Sequence, residues 1–227
     1  MGNGPSLRFR DLDQLSDRSD VVTIASNRID FAFSETDWRP DYFSVADPLV
    51  WSKYESIVRD LYPKILTPVS IDRSVDSSGK RIAYRHIDVV PTHQTERERE
   101  WYFSNDVSQG VFCGGTVTFE NIQLAVHLGL NPIYLIGCDH SYQGSNEGSM
   151  NDTSVPIRQE AGVENHFAKG YRKEGEVVFS ANMVQMNAAF EEARRYADAH
   201  GVKIFNLTRG GELEYFERLD FDSVFES

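Results

Sequence analysis

The sequence has little sulfur and no long apolar run. Two cysteines, Cys113 and Cys138, occur in 227 residues, and they lack Cys-x-x-Cys spacing. A disulfide framework is thereby excluded, and the pair reads as reduced thiols of a cytosolic protein. No stretch approaches the roughly 18 apolar residues of a membrane span, and no apolar leader opens the sequence. An integral membrane segment is not expected, while peripheral membrane association and self-association stay open. Basic residues are scarce: 23 Lys and Arg against 35 Asp and Glu leave a formal net charge of −12. Nonspecific nucleic-acid binders present a basic face, so nucleic acid is not an expected partner. An anionic small molecule held by backbone amides is compatible with this charge.

Familiar cofactor signatures are also missing. There is no Gly-Lys-Ser/Thr P-loop, no Rossmann dinucleotide fingerprint, and no His-x-x-x-His or His-x-His pair. ATP or NAD bound through those motifs is disfavoured, and no metal site is expected.

What the sequence does contain is alternation. Apolar runs of strand length lie at 21–26, 42–46, 64–66, 132–137 and 202–206. Longer segments with helical period lie between them at 49–62, 116–128 and 182–200. Continuous apolar runs bounded by polar turns suit strands covered on both faces. The length suits one α/β domain over 1–227, a doubly wound, mostly parallel, Rossmann-like sheet. The run at 81–90 reads as a strand in a peripheral insertion. Residues 143–175 are polar and without period, which predicts a lid or binding loop inserted in the domain.

In an open parallel sheet, ligands bind beyond the carboxyl ends of the strands. The polar residues that follow the apolar runs are therefore candidates as a group: Asn27, Asp47, Asp139 with His140, and Asn206 with Thr208. Asn3, Gly4, Pro5 and Ser6, a glycine-rich turn leading into a helix, join them. Taken singly, an Asn or Asp in such a place more often caps a helix. Gly114, Gly115 and Thr116 also lead into a helix, where free amides can hold a phosphate. The plainer reading there is a Thr cap after a flexible turn. His140 follows a strand and His166 sits in the polar segment, so either could serve as general base or ligand. His127 and His200 belong to helices, and His86 and His93 carry no informative context.

An ordered set of short motifs carries a family likeness. It comprises Gly2-Asn3-Gly4-Pro5-Ser6-Leu7, Ser26-Asn27-Arg28-Ile29, Pro40-Asp41-Tyr42-Phe43 and Gly114-Gly115-Thr116-Val117-Thr118. Further on come Ile133-Tyr134-Leu135-Ile136-Gly137-Cys138-Asp139-His140, Asn165-His166-Phe167 and Gly210-Gly211-Glu212-Leu213. The chain resembles the DUF115 family, labelled 6-hydroxymethylpterin diphosphokinase MptE-like, whose members accompany bacterial surface-polysaccharide and flagellar glycosylation genes. That family is similar in fold to the sialyltransferases of glycosyltransferase family 42. The resemblance implies that the loop at Asn3, Gly4, Pro5 and Ser6 contacts a cytidine nucleotide donor, and that Asn27 and Asp47 orient it. It also implies that 143–175 acts as a lid, with Tyr142 and Tyr171 as phosphate-binding tyrosines and His166 as base by role. The register departs in two places: the base of that family lies nearer the final helix, and Tyr142 falls one position out.

In both families a strand precedes the Gly-Asn-Gly-Pro-Ser loop. None precedes it here, which predicts a start after the first strand or a strand supplied otherwise. The leading expectation is a glycosyltransferase-like enzyme taking a CMP-nonulosonic acid donor and a glycan or protein acceptor, with no cofactor. Its catalytic residues would be His166 or His140, with Asp139 positioning the lid. A pterin diphosphokinase using ATP and Mg2+ is the alternative, although its acidic and His-Gly-Asp-Asn motifs are absent. A noncatalytic nucleotide- or sugar-binding subunit is the third reading.

Overall fold

The computed structural model describes residues 1–73, 78–87, 102–143, 156–159 and 162–225. His93 and two parts of the expected lid, 144–155 and 160–161, lie outside them. From the N-terminus come α1 (Phe9–Ser16), β1 (Ile24–Ser26), a 3₁₀ turn (Ile29–Ser34), β2 (Tyr42–Ser44), α2 (Pro48–Leu61), β3 (Ile65–Pro68) and β4 (Arg81–Tyr84). There follow β5 (His86–Ile87), β6 (Val111–Phe112), α3 (Val117–His127), β7 (Ile133–Leu135), β8 (Pro156–Arg158) and β9 (Val177–Phe179). The last elements are α4 (Met183–His200), β10 (Ile204–Asn206), β11 (Glu217–Arg218) and α5 (Phe221–Phe225).

Two parallel sheets form the centre, one in the order β1-β2-β3-β4 and the other β11-β10-β7. Successive strand residues point to opposite faces, and both faces are covered. Ile24, Leu66 and Leu135 pack with Phe119 and Ile122 of α3 and Phe190 of α4. Their neighbours Ala25, Ile65 and Ile136 pack with Leu12 of α1, Trp51 of α2 and Phe221 of α5. This is the doubly wound α/β arrangement that the apolar runs imply.

The helix starts follow from their caps. The Asp47 side chain accepts from the N–H groups of Leu49 and Val50, with Pro48 in the first turn. Thr116 caps α3 and Asn182 caps α4, which ends at Gly201 in the left-handed region with φ +69°. One expectation needs correction. The run beginning at Arg81 is not peripheral: β4 pairs in parallel with β3 as the outer strand of the main sheet. Its consecutive exposed residues Ile82 and Ala83, which point to opposite faces, give it the mixed pattern of an edge.

Residues 1–4 run through the gap between β1 and β7, the place of the expected leading strand. The Met1 amino group donates to the Ile24 carbonyl at 3.0 Å, and the Gly2 N–H to Ile136 at 2.8 Å. The Gly4 N–H continues to Gly137 at 2.8 Å, and Asn3 Nδ2 reaches the Ser26 carbonyl at 2.9 Å. Behind this segment a cavity of about 370 Å³ follows the same gap, bounded by Met1, Ile24, Ile122, Ala125, Ile133 and Leu135.

Close packing of α3 against α4 generates a test. A methyl group at the buried Gly114 would collide with Ala189 Cβ and lie 2.5 Å from Phe119 Cδ1. Gly114→Ala is expected to lower unfolding stability by about 1–3 kcal/mol in urea titrations. An unchanged midpoint would show slack in this contact.

Candidate functional site

Beyond the carboxyl ends of β1, β2 and β7 lies a cavity of about 540 Å³. Asn3, Gly4, Asn27, Asp47, Gly115, Thr116, Asp139 and His140 line it together. Tyr142, just before the polar segment, and His166 and Tyr171 within it also line the cavity. Residues scattered over the sequence thus face one space, at the position open parallel sheets favour. Pro5, Ser6 and Gly114 do not line it. Pro5 is exposed, and Gly114 is buried in the helix contact. Ser6 instead holds Asp139: its Oγ donates to Asp139 Oδ2 at 2.7 Å and its N–H to Oδ1 at 3.2 Å. Asn206 and Thr208 also lie outside the lining and brace the strand ends. Asn206 Nδ2 donates to the Leu213 carbonyl, and Thr208 Oγ1 accepts the Cys138 N–H.

Several lining residues shape the backbone as well as the cavity. Asp47 Oδ1 accepts from the Leu49 N–H at 2.7 Å, so this oxygen is a helix cap, while Oδ2 lies 4.0 Å from the Arg172 guanidinium. Thr116 Oγ1 likewise accepts from the Thr118 N–H. Gly4 must be glycine because any Cβ there would collide with the Asp139 carboxylate. Asn27 and His140 both adopt left-handed backbone, with φ +54° and +56°. Such strain in non-glycine residues concentrates at functional sites.

Three buried polar atoms of lining residues have no partner among the described residues: Asn3 Oδ1, Asn27 Oδ1 and His140 Nδ1. Buried polar groups are almost always paired, so three such atoms on residues that line one cavity mark a region whose hydrogen bonding is completed by small shifts toward a bound ligand. The opposite ring nitrogen of His140 is fixed, with Nε2 2.6 Å from Asn187 Oδ1. Burial lowers the His140 pKa, with Asn187 and Glu212 pulling the other way.

His166 stacks on Tyr171 with ring centroids 3.9 Å apart. Burial, reinforced by the Arg172 charge, lowers its pKa to about 3, so it is neutral near pH 7. The Tyr171 hydroxyl accepts the Arg28 N–H at 3.1 Å, which ties this part of the segment to the sheet. The Phe167 N–H donates to the Asn3 carbonyl at 3.0 Å and ties it to the glycine-rich loop. Burial pushes the Tyr142 hydroxyl up to about 12 and holds Asp139 above the ordinary carboxylate range, against the bonds from Ser6.

Other lining residues escaped the sequence reading. Arg158 and Arg172 bring cationic groups to the cavity from the polar segment, where lack of period hid which residues turn inward. His86, Cys113 and Glu120 also line it, with one potential ligand atom from each lying within 4.8 Å of the others. His86 Nε2 is 3.1 Å from Glu120 Oε1, and the Tyr84 hydroxyl donates to Glu120 Oε2 at 2.7 Å. Burial disfavours a charge on His86, but Cys113 and Glu120 outweigh it and push the imidazole up to about 10. Both cysteines are free, as the sequence implied.

The profile of a family described as 6-hydroxymethylpterin diphosphokinase MptE-like matches residues 1–145. That span ends before Asn165-His166-Phe167 and the 210–213 motif. No curated protein matches the sequence. Among solved structures, the MAf glycosyltransferase from Magnetospirillum magneticum AMB-1 is similar, with a TM-score of 0.58 and 18% identity. The similarity covers 98% of this chain but 33% of that one, so this chain spans about a third of its length. At that identity the likeness is one of fold. No described helix is long and apolar enough to cross a membrane.

The neutral His166 imidazole has a consequence for stability. An ordinary imidazole titrates near pH 6.5, whereas the folded chain resists protonation here until about pH 3. As pH falls through that window the unfolded chain binds a proton that the folded chain refuses, so stability drops. Chemical denaturation between pH 7.5 and 4 should show this loss, and His166→Phe should flatten part of the slope. An identical slope in the variant would overturn the assignment.

Proposed function

The chain belongs to the 6-hydroxymethylpterin diphosphokinase MptE-like family, and from that premise we propose a glycosyltransferase-like enzyme that takes a nucleotide-activated sugar. The proposed donor is a CMP-nonulosonic (sialic-type) acid, and the acceptor a hydroxyl of a bacterial surface glycan or of flagellin, in the cytoplasm. The observation that carries this reading is the set of unpartnered buried atoms, Asn3 Oδ1, Asn27 Oδ1 and His140 Nδ1, on residues that line one cavity. In this reading Asn3, Gly4, Gly115 and Thr116 face the nucleotide and its phosphate, and Asn27 orients the donor. Arg172, 4.0 Å from Asp47, offers a cation to the donor's carboxylate or phosphate. Asp139, gripped by Ser6, fixes the loop beside them.

The proposed base is His140, with His166 second. What supports the order is tautomer geometry: an Nε2–H donated to Asn187 leaves Nδ1 as an unpartnered acceptor on a residue that lines the cavity. The acceptor oxygen attacks the anomeric carbon as the bond to the phosphate oxygen breaks. The acceptor proton passes to His140 Nδ1, and CMP departs with the bonding electron pair. CMP is a competent leaving group, so this step asks for no metal. The polar segment, closing over the donor, would limit hydrolysis.

The family description favours one competitor, a pterin diphosphokinase using ATP and Mg2+. Against it, two of the lining carboxylates are already engaged, Asp47 by a helix start and Asp139 by Ser6. Thermal-shift measurements separate the readings. CMP should raise the melting temperature more than UDP or ATP with Mg2+; stabilisation by ATP with Mg2+ alone would reject the donor assigned here. Binding of CMP without transfer or donor hydrolysis would instead indicate a noncatalytic nucleotide- or sugar-binding subunit. His140→Ala should cut turnover by about 10²–10⁴-fold while retaining the CMP shift. The acid limb of kcat should fall below the ordinary imidazole value, because the lowered His140 pKa keeps the base neutral. If His166→Ala shows the loss and His140→Ala does not, the two roles exchange.

A further inference from the structure

We propose that His86, Cys113 and Glu120 form a zinc site in the wall of the cavity, independent of which donor the cavity accepts. No residue spacing signals it, because the ligands come from three separate elements rather than from one helix or turn. Here β5 carries His86, Cys113 directly follows β6, and Glu120 stands in the first turn of α3. Potential ligand atoms of the three lie within 4.8 Å of one another, so small side-chain adjustments bring them onto one ion.

The arrangement is preorganised. The strands β5 and β6 pair in parallel with His86 opposite Val111 and Ile87 opposite Phe112. Flanking backbone bonds lock the register: the Val111 N–H donates to the Arg85 carbonyl at 2.8 Å and the Cys113 N–H to Ile87 at 3.0 Å. Glu120 is buried, and the Tyr84 hydroxyl holds its second oxygen. A hydroxyl that orients a ligating carboxylate is the outer support that metal sites rely on.

Thiolate, imidazole and carboxylate together suit Zn2+ or Co2+ and not Mg2+, which prefers an all-oxygen shell. Three protein ligands leave a fourth position, and all three residues line the cavity. That position suits an anionic oxygen of whatever occupies the cavity, with the ion acting as a Lewis acid beside it.

Co2+ titration of the full chain without nucleotide tests the proposal and cannot be confused with failure of the donor reading. One equivalent should produce a thiolate-to-cobalt charge-transfer band in the near ultraviolet and intense visible bands of a four-coordinate ion. Zn2+ should bleach both, and Mg2+ should not. Cys113→Ser should remove the charge-transfer band. Tyr84→Phe keeps every ligand and should weaken Zn2+ binding by roughly 10–100-fold. The proposal fails if no band forms, if the band survives Cys113→Ser, if Mg2+ competes as well as Zn2+, or if Tyr84→Phe leaves affinity unchanged.

Discussion

Hydrogen bonds from the first four residues join two sheets that no described strand pairs directly. The amino group of Met1 reaches β1, the Gly2 N–H reaches the end of β7, and Asn3 spans back to Ser26. The Ser6–Asp139 contact closes the same junction from outside. The loop geometry around the cavity depends on this junction, because Asn3, Asn27 and Asp139 sit on its opposite sides. Their convergence is a property of the seam and not of either sheet alone.

The cavity shows how one side chain can satisfy local folding and still face a ligand. Asp47 caps α2 through one oxygen and presents the other near Arg172. Asp139 accepts from Ser6 while lining the cavity, and Gly4 is small so that this carboxylate can approach. The atoms left over are neutral amide and imidazole acceptors, each held by a bond at its other end or by strained backbone. A wall of fixed dipoles and few free charges suits a ligand that brings its own charge.

Much of this was legible in the sequence where local physics decides. Apolar runs located β1, β2, β3, β7 and β10, and helical period located α2, α3 and α4, because burial on both strand faces and on one helix face constrains nearby residues. The rule that ligands gather at strand ends brought Asn3, Asn27, Asp47 and Asp139 together before any coordinates. It failed for Ser6, Asn206 and Thr208, whose polar atoms bond to protein instead. The edge position of β4 was misread because its exposed residues Ile82 and Ala83 break the continuous burial of the inner strands and so mimic an insertion. His86, Cys113 and Glu120 could not have been grouped, since their proximity arises from sheet pairing and a helix start distant in sequence. Arg172 and the hydroxyl of Tyr171 depend on how a periodless segment folds, which residue pattern does not encode.

The seam has two sides. Gly2, Asn3 and Gly137 look onto the outer cavity, Met1 and Ile136 onto the inner one, and Thr118 touches both. A single backbone segment therefore runs between the two cavities. Side chains at Ile122 and Ala125 line the inner cavity and not the outer one, so substitutions there approach the segment without meeting anything that enters the outer cavity. Stability and chemistry are thus adjustable from opposite rooms of the same wall.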